Sequence, residues 1–235
     1  MPDKHSSTSY DEDLDHVRSR VLAMGHFACG QLRLAVQALT HFSTEAAAQV
    51  LMAEGQLNAL EVELDRESAL IIARRQPTAR DLRLLTAVSK TGGNLERIGD
   101  EAARIARTVQ RLDATGISSR MRQPTADLAY AAELAAAQLQ QTLECFESMD
   151  ARRAFDVIKK DILIDDEFEG FLRKLVTYML EDPRTISASI DFVFVAKAIE
   201  RVGDHAKNVA EQIIFIVTGT DVRHTPLGDV ESMVQ

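Results

Sequence analysis

The chain is predicted to be all-α: two tandem, pseudo-symmetric bundles of three helices each. Three observations carry this prediction. Gly (11) and Pro (5) are sparse among 235 residues, aromatics make up 5 %, and Trp is absent, a composition that favours long helices over sheets. Apolar residues recur at a spacing of three to four almost throughout, the mark of amphipathic helices. A ten-residue phrase also occurs twice, as Glu96-Arg97-Ile98-Gly99-Asp100-Glu101-Ala102-Ala103-Arg104-Ile105 and as Glu200-Arg201-Val202-Gly203-Asp204-His205-Ala206-Lys207-Asn208-Val209. That duplication makes the chain two versions of one unit.

The elements follow in order. Helix one shows Leu14, Val17, Val21, Met24, Ala28 and Ala35, and Ser43 and Thr44 then offer N-caps. Helix two carries Ala53, Leu57, Leu60, Leu64 and Ile71, and stops near Pro77, which disfavours helical geometry at Gln76. Thr78-x-x-Asp81 resembles a capping box and opens helix three, whose seam is Val88, Gly92, Leu95, Gly99, Ala102, Ala106 and Val109. Asp113 to Pro124 holds Gly116, two serines and the proline, and joins the halves. Helix four is expected from about Thr125 to Met149, helix five from Asp150 to Leu180, and helix six from beyond Pro183 to Thr218, with Gly219 as its stop. The stretch from Asp221 is expected to be irregular. The first bundle thus spans 10–113, the second 124–220, and a C-terminal tail 221–235.

The net charge is −9, from 36 acidic and 27 basic residues. A nucleic-acid binder normally shows a basic face; none is visible, so no nucleic-acid partner is expected. An acidic surface suits cations or basic partner surfaces. Cys29 and Cys145 lack C-x-x-C spacing and sit in apolar patterns, as buried reduced thiols do. No apolar run reaches membrane-spanning length, and Met1 to Asp15 is polar and acidic, unlike a signal peptide. A cytosolic protein is expected, meeting membranes only through partners.

Each copy of the phrase keeps Glu and Asp four residues apart. These carboxylates stack on one helix face and repel mildly, so a bound cation is the obvious compensation. The core line repeats with them: Leu95, Gly99, Ala102, Ala106 and Val109 become Ile199, Gly203, Ala206, Ala210 and Ile213, each 104 positions later. In the preceding helix an offset of 100 carries Leu57, Glu61, Leu64, Asp65 and Ile71 onto Val157, Asp161, Ile164, Asp165 and Phe171. Each half then has two acid pairs: Glu61/Asp65 with Glu96/Asp100, and Asp161/Asp165 with Glu200/Asp204. An antiparallel pair around residue 77 offsets them by several ångströms, which side-chain length and helix tilt could close. Convergence within each half is the prediction, and it makes these eight residues candidate metal ligands. The bland alternative is a set of solvated acids flanking a core stripe.

Gly99 and Gly203 are read as close-packing positions. Arg97 and Arg201 either orient the carboxylates or form ordinary surface salt bridges. His205 could add a nitrogen ligand, but its counterpart is Glu101. His5, His16, His26, His41 and His224 share no pattern.

Glu-Arg-Ile-Gly-Asp-Glu-Ala and Glu-Arg-Val-Gly-Asp-His-Ala-Lys-Asn-Val resemble the phrases of the PhoU family of bacterial phosphate-signalling proteins. So do Arg75-Gln76-Pro77-Thr78-Ala79-Arg80-Asp81-Leu82-Arg83, Glu181-Asp182-Pro183-Arg184-Thr185-Ile186 and Asp221-Val222-Arg223-His224. The likeness runs from about Leu14 to His224. It implies paired three-helix bundles side by side, and E/D-x-x-x-D motifs holding divalent or trivalent metal ions (iron, zinc, manganese or magnesium). Glu96 with Asp100 and Glu200 with Asp204 carry the motif; Glu61, Asp65, Asp161 and Asp165 match it less firmly. The resemblance further implies an adaptor between the ATPase subunit of the phosphate ABC transporter and the phosphate-sensing histidine kinase. Such an adaptor restrains the phosphate regulon when phosphate is plentiful, and homodimers are common in the family.

Two other functions compete. A metal-dependent helical-bundle oxidoreductase of the di-iron type would use Glu-x-x-His pairs; none occurs, and Asp13/His16 and Asp221/His224 lie near the chain ends. A metal-free acidic interaction module would dock a basic partner. No P-loop and no Gly-x-Ser-x-Gly elbow is present, so no enzyme activity is expected.

Overall fold

A computed structural model describes residues 8–115 and 122–234. His5 and the middle half of the predicted junction, residues 116–121, lie outside them. The first half consists of α1 (Thr8–His41), α2 (Thr44–Arg75) and α3 (Ala79–Thr115). The second consists of α4 (Arg122–Ser148), α5 (Ala151–Lys160), α6 (Ile162–Glu181) and α7 (Ile186–Thr218), with a 3₁₀ turn at Pro183–Thr185. A last helix, α8 (Leu227–Met233), follows.

Local chemistry explains most boundaries. Ser43 Oγ accepts the Ala46 N–H at 3.2 Å, and Asp150 Oδ1 accepts that of Arg153 at 2.9 Å, so both second helices start on side-chain caps. Gln76, barred from the right-handed helical region by Pro77, turns left-handed at φ 49°. Gly219 closes α7 at φ 82°, its N–H bonded to Phe215 O at 2.9 Å. At the start of α3, the Thr78 carbonyl accepts the Asp81 N–H, and the Asp81 carboxylate accepts the Tyr10 hydroxyl at 3.2 Å.

Two expectations need correction. The predicted fifth helix is divided at Asp161, where hydrogen bonds tighten to three-residue closures: Asp161 N–H to Ile158 O at 3.4 Å and Ile164 N–H to Asp161 O at 3.0 Å. Asp161 itself keeps right-handed helical angles (φ −55°, ψ −35°). The stretch from Asp221 is not wholly irregular either. It forms α8 and buries Val222 and Val230, because two apolar side chains on a short segment gain more against α5 than in water.

Helices α1, α3, α4 and α7 form the middle of the molecule. Helix α3 lies along α7 and α1 along α4, while α2 flanks one side and α5–α6 the other. One apolar core therefore runs through both halves, from Val21, Leu32 and Ile98 to Phe146, Phe192 and Ile213. Polar contacts cross the seam: Arg201 to buried Glu101 (3.1 Å), Arg111 to Asp191 (2.9 Å), and Asn208 and His205 to Asn94 Oδ1 (3.2 and 3.0 Å). Cys29 and Cys145 are buried free thiols, and burial pushes the Cys145 thiol up to about 11.

The glycines set how closely the helices approach. A Cβ at Gly99 would overlap the Cδ1 of Leu57, itself only 1 % exposed. Leu57→Ala is expected to lower stability by about 2–5 kcal/mol. Adding Gly99→Ala should restore part of it, since the new methyl enters the space that Leu57 vacates. Urea unfolding of the two single variants and the double variant measures this; losses that simply add would show that the two positions do not share that space.

Candidate metal centre

The apposition of α2 with α3 is anchored by Leu57 against Gly99 and Leu64 against Gly92. That of α6 with α7 is anchored by Ile164 against Gly203. Gly203 lies 104 residues after Gly99, but Ile164 lies 107 after Leu57, not 100. The caps Ser43 and Asp150 are also 107 apart. The offset of 100 used for the second helix was therefore a slip of seven residues. Asp161 and Asp165 occupy the places of Glu54 and Asn58, not those of Glu61 and Asp65. Seven residues is close to two helical turns, and Leu57, Leu64 and Ile71 are themselves seven apart, so the apolar pattern alone reads equally well in either register.

In the first half Glu61, Glu96 and Asp100 come together. Glu61 Oε1 reaches within 3.3 Å of the point where a Gly93 side chain would begin. The Glu96 carboxyl is pushed above its ordinary range, first by burial and then by the charges of Asp100 and Glu61; Arg97 offsets this in part. Arg97 stays on the outside, two-thirds exposed, 3.6 Å from Glu96 and 3.9 Å from Asp100. Asp65 does not join them. It accepts the Ser89 hydroxyl at 2.6 Å, about 16 Å along α3 from Asp100 at 1.5 Å per residue. Glu54, in the place of Asp161, is held by Arg107 at 2.6 Å.

In the second half all four predicted acids converge. Burial, then Asp161 and Asp204, raise Asp165; burial, then Glu200 and Asp161, raise Asp204. Two lysines that the sequence reading did not single out lie among them: Lys207 Nζ is 3.0 Å from Asp161 Oδ2, and Lys197 Nζ is 2.6 Å from Glu200 Oε1. Their counterparts in the first half are Gly93 and Ala103, so that asymmetry was open to view once the repeat had been aligned. Gln138 of α4 also reaches the site, its Nε2 donating to Asp161 Oδ1 at 3.2 Å. Among the described residues, no three His, Cys, Asp or Glu side chains already stand around one point as a metal-holding set.

The neighbours of the acids divide differently from expectation. Arg201 leaves Glu200 and Asp204 and pairs with Glu101 of the other half. His205 turns to Asn94; burial, with Arg97 and Arg201 nearby, lowers it to about 4. Its neutral ring thus belongs to the seam between the halves.

A PhoU domain matches residues 21–109 and again 128–213. A phosphate-specific transport system accessory protein PhoU homolog from a Burkholderia species is 45 % identical over 224 residues, 95 % of each chain. The Pseudomonas aeruginosa homolog is 40 % identical over 98 % of this chain and 94 % of its own. The chain belongs to the PhoU family. The crystal structure of PhoU from Pseudomonas aeruginosa superposes with a TM-score of 0.84 at 40 % identity, covering 90 % of this chain and all of that one. The Streptococcus pneumoniae phosphate transport system regulatory protein PhoU, at 22 % identity and a TM-score of 0.82 over 91 % and 99 % of the two chains, shares the fold.

The raised Glu96 carboxyl gives a test with a definite sign. A carboxyl whose folded pKa exceeds its unfolded value binds protons more tightly when folded. Its charged form therefore weakens the cation-free protein at neutral pH, and the penalty disappears as the pH falls below the unfolded pKa. Glu96→Gln is expected to unfold at higher urea than the wild type at neutral pH with chelator present, and the gap should close toward pH 4. A gap that widens on acidification would contradict this.

Proposed function

We propose that this chain regulates phosphate uptake and phosphate-starvation signalling, as an adaptor between the ATPase subunit of the phosphate ABC transporter and the phosphate-sensing histidine kinase, restraining the phosphate regulon when phosphate is abundant. The observation that carries this is full-length similarity to proteins named as accessory to phosphate-specific transport. The fold agrees with the role. The flanking helices α2 and α6 present outer faces to solvent, and among the described residues no helix is long and apolar enough to cross a membrane. Contact with the transporter is then made through its cytosolic subunit, and the chain works as a homodimer.

The acidic clusters serve this role as cation sites. Glu61, Glu96 and Asp100 would hold an ion in the first half, and Asp161, Asp165, Glu200 and Asp204 in the second. The donor set is all oxygen, which suits magnesium, manganese, iron or zinc. Bound cations relieve the mutual repulsion of buried carboxylates and tie each second helix to its third. Asp65, beside Ser89, is too far from Glu96 and Asp100 to share their ion. Lys197 and Lys207 already neutralise part of the second cluster, which favours tighter cation binding in the first half. The same lysines also suit a second reading, in which the clusters are metal-free and act only as acidic docking surface.

Deleting the gene is expected to raise a phosphate-regulated reporter several-fold in phosphate-rich medium; unchanged expression would remove the regulatory reading. Elemental analysis of the purified protein should find metal that chelator removes, with a lower melting temperature afterwards. Metal-free protein whose partner binding ignores chelator would favour the docking-surface reading instead.

A further inference from the structure

The oxygen of Gln138 stands out among the polar atoms of the core. The residue is 6 % exposed, yet its Oε1 has no hydrogen-bond donor. The amide cannot be reversed to cure this. Its NH₂ group donates to the Asp161 carboxylate at 3.2 Å, and exchanging N for O would set two acceptors against each other. The oxygen is thereby turned toward Gly203, 3.3 Å from where a Cβ would stand, with Asp161 Oδ1 at 3.2 Å and Ile164 Cδ1 at 2.8 Å from the same point. The bare face of Gly203 thus lets Ile164, Asp161 Oδ1 and Gln138 Oε1 crowd together against α7. Glu200 Oε2, in the same cluster, is likewise buried without a donor. Lys197 and Lys207 engage the other oxygens of Glu200 and Asp161, leaving these acceptors unserved. A buried acceptor needs a donor, a water or a cation.

The unpaired amide oxygen recurs. Gln31 lies 107 residues before Gln138, the spacing that also relates Ser43 to Asp150 and Leu57 to Ile164, and its Oε1 is also buried without a donor. Two glutamines at one position of a duplicated helix, each with the same atom unpaired, point to a shared task.

We propose that the first helix of each bundle takes part in cation binding, Gln138 lending its amide oxygen as a neutral ligand beside Asp161, Glu200 and Asp204, and Gln31 holding the equivalent place in the first half. The proposal rests on the cation-site reading above. It makes each site a three-helix site, where the acidic motifs alone use two.

Manganese(II) binding by the full chain tests it, followed by electron paramagnetic resonance and by calorimetry, in a Glu96→Gln/Asp100→Asn background that leaves the second half to be observed. Gln138→Leu should weaken binding at least tenfold while the circular dichroism stays helical. Gln138→Glu, which keeps an oxygen at that place, should retain or tighten binding, and it decides the matter if the leucine variant does not fold. Equal affinity in the wild-type and Gln138→Leu chains would overturn the proposal, leaving water as the partner of that oxygen; loss of binding in Gln138→Glu would overturn it as well. Absence of manganese binding at either half of the unaltered chain would remove the cation reading itself.

Discussion

Close approach of the second and third helices in each half, made possible by Gly99 and Gly203, is the constraint on which the candidate site depends. Without a Cβ at these positions, Leu57 and Ile164 press directly onto the neighbouring helix. That contact sets the sliding register of the pair, and the register decides which acids face each other. A helix pays little for one glycine, about 1 kcal/mol against alanine, while the contact it permits positions every carboxylate along two helices of more than thirty residues. The repulsion of those carboxylates is thus imposed by core packing, and the apolar contacts along α2–α3 and α6–α7 outweigh it.

The two halves share this device but fill it differently. In the first, Glu61 reaches the motif acids from about two turns beyond the position that Asp161 takes in the second, while Asn58 stands where Asp165 does. Glu54 is diverted to Arg107, and Arg97 stays outside. In the second, two ammonium groups are interleaved with four carboxylates. Similar backbones therefore carry unequal electrostatics. A duplicated unit whose copies diverge in charge can hold ions of unequal affinity while keeping one scaffold.

The seam between the bundles has its own chemistry. Glu101 and His205 occupy equivalent positions in the repeated phrase, and both were diverted from the acidic sites into cross-seam contacts with Arg201 and Asn94. Burial in the seam, reinforced by the two nearby arginines, disfavours a charged His205 ring, which is why its pKa falls. The shared apolar core and these polar contacts join the halves along α3 and α7, so the outer flanks, α2 and α5–α6, are the helices that combine site residues with solvent access.

By itself, the sequence determined the all-α class, the duplication, the caps at Ser43, Gln76 and Gly219, and the paired acids of the repeated phrase. These follow from local rules: periodicity, turn chemistry and four-residue spacing are properties of a single helix. It could not determine how far one helix slides along another, because an apolar stripe repeating every seven residues superposes on itself after two turns. Only the tertiary structure decided that Asp65 faces Ser89, that Ile164 packs on Gly203, and that Gln138 reaches across from α4. Those facts depend on which side chain meets a glycine on the opposite helix, and that choice belongs to the packed pair.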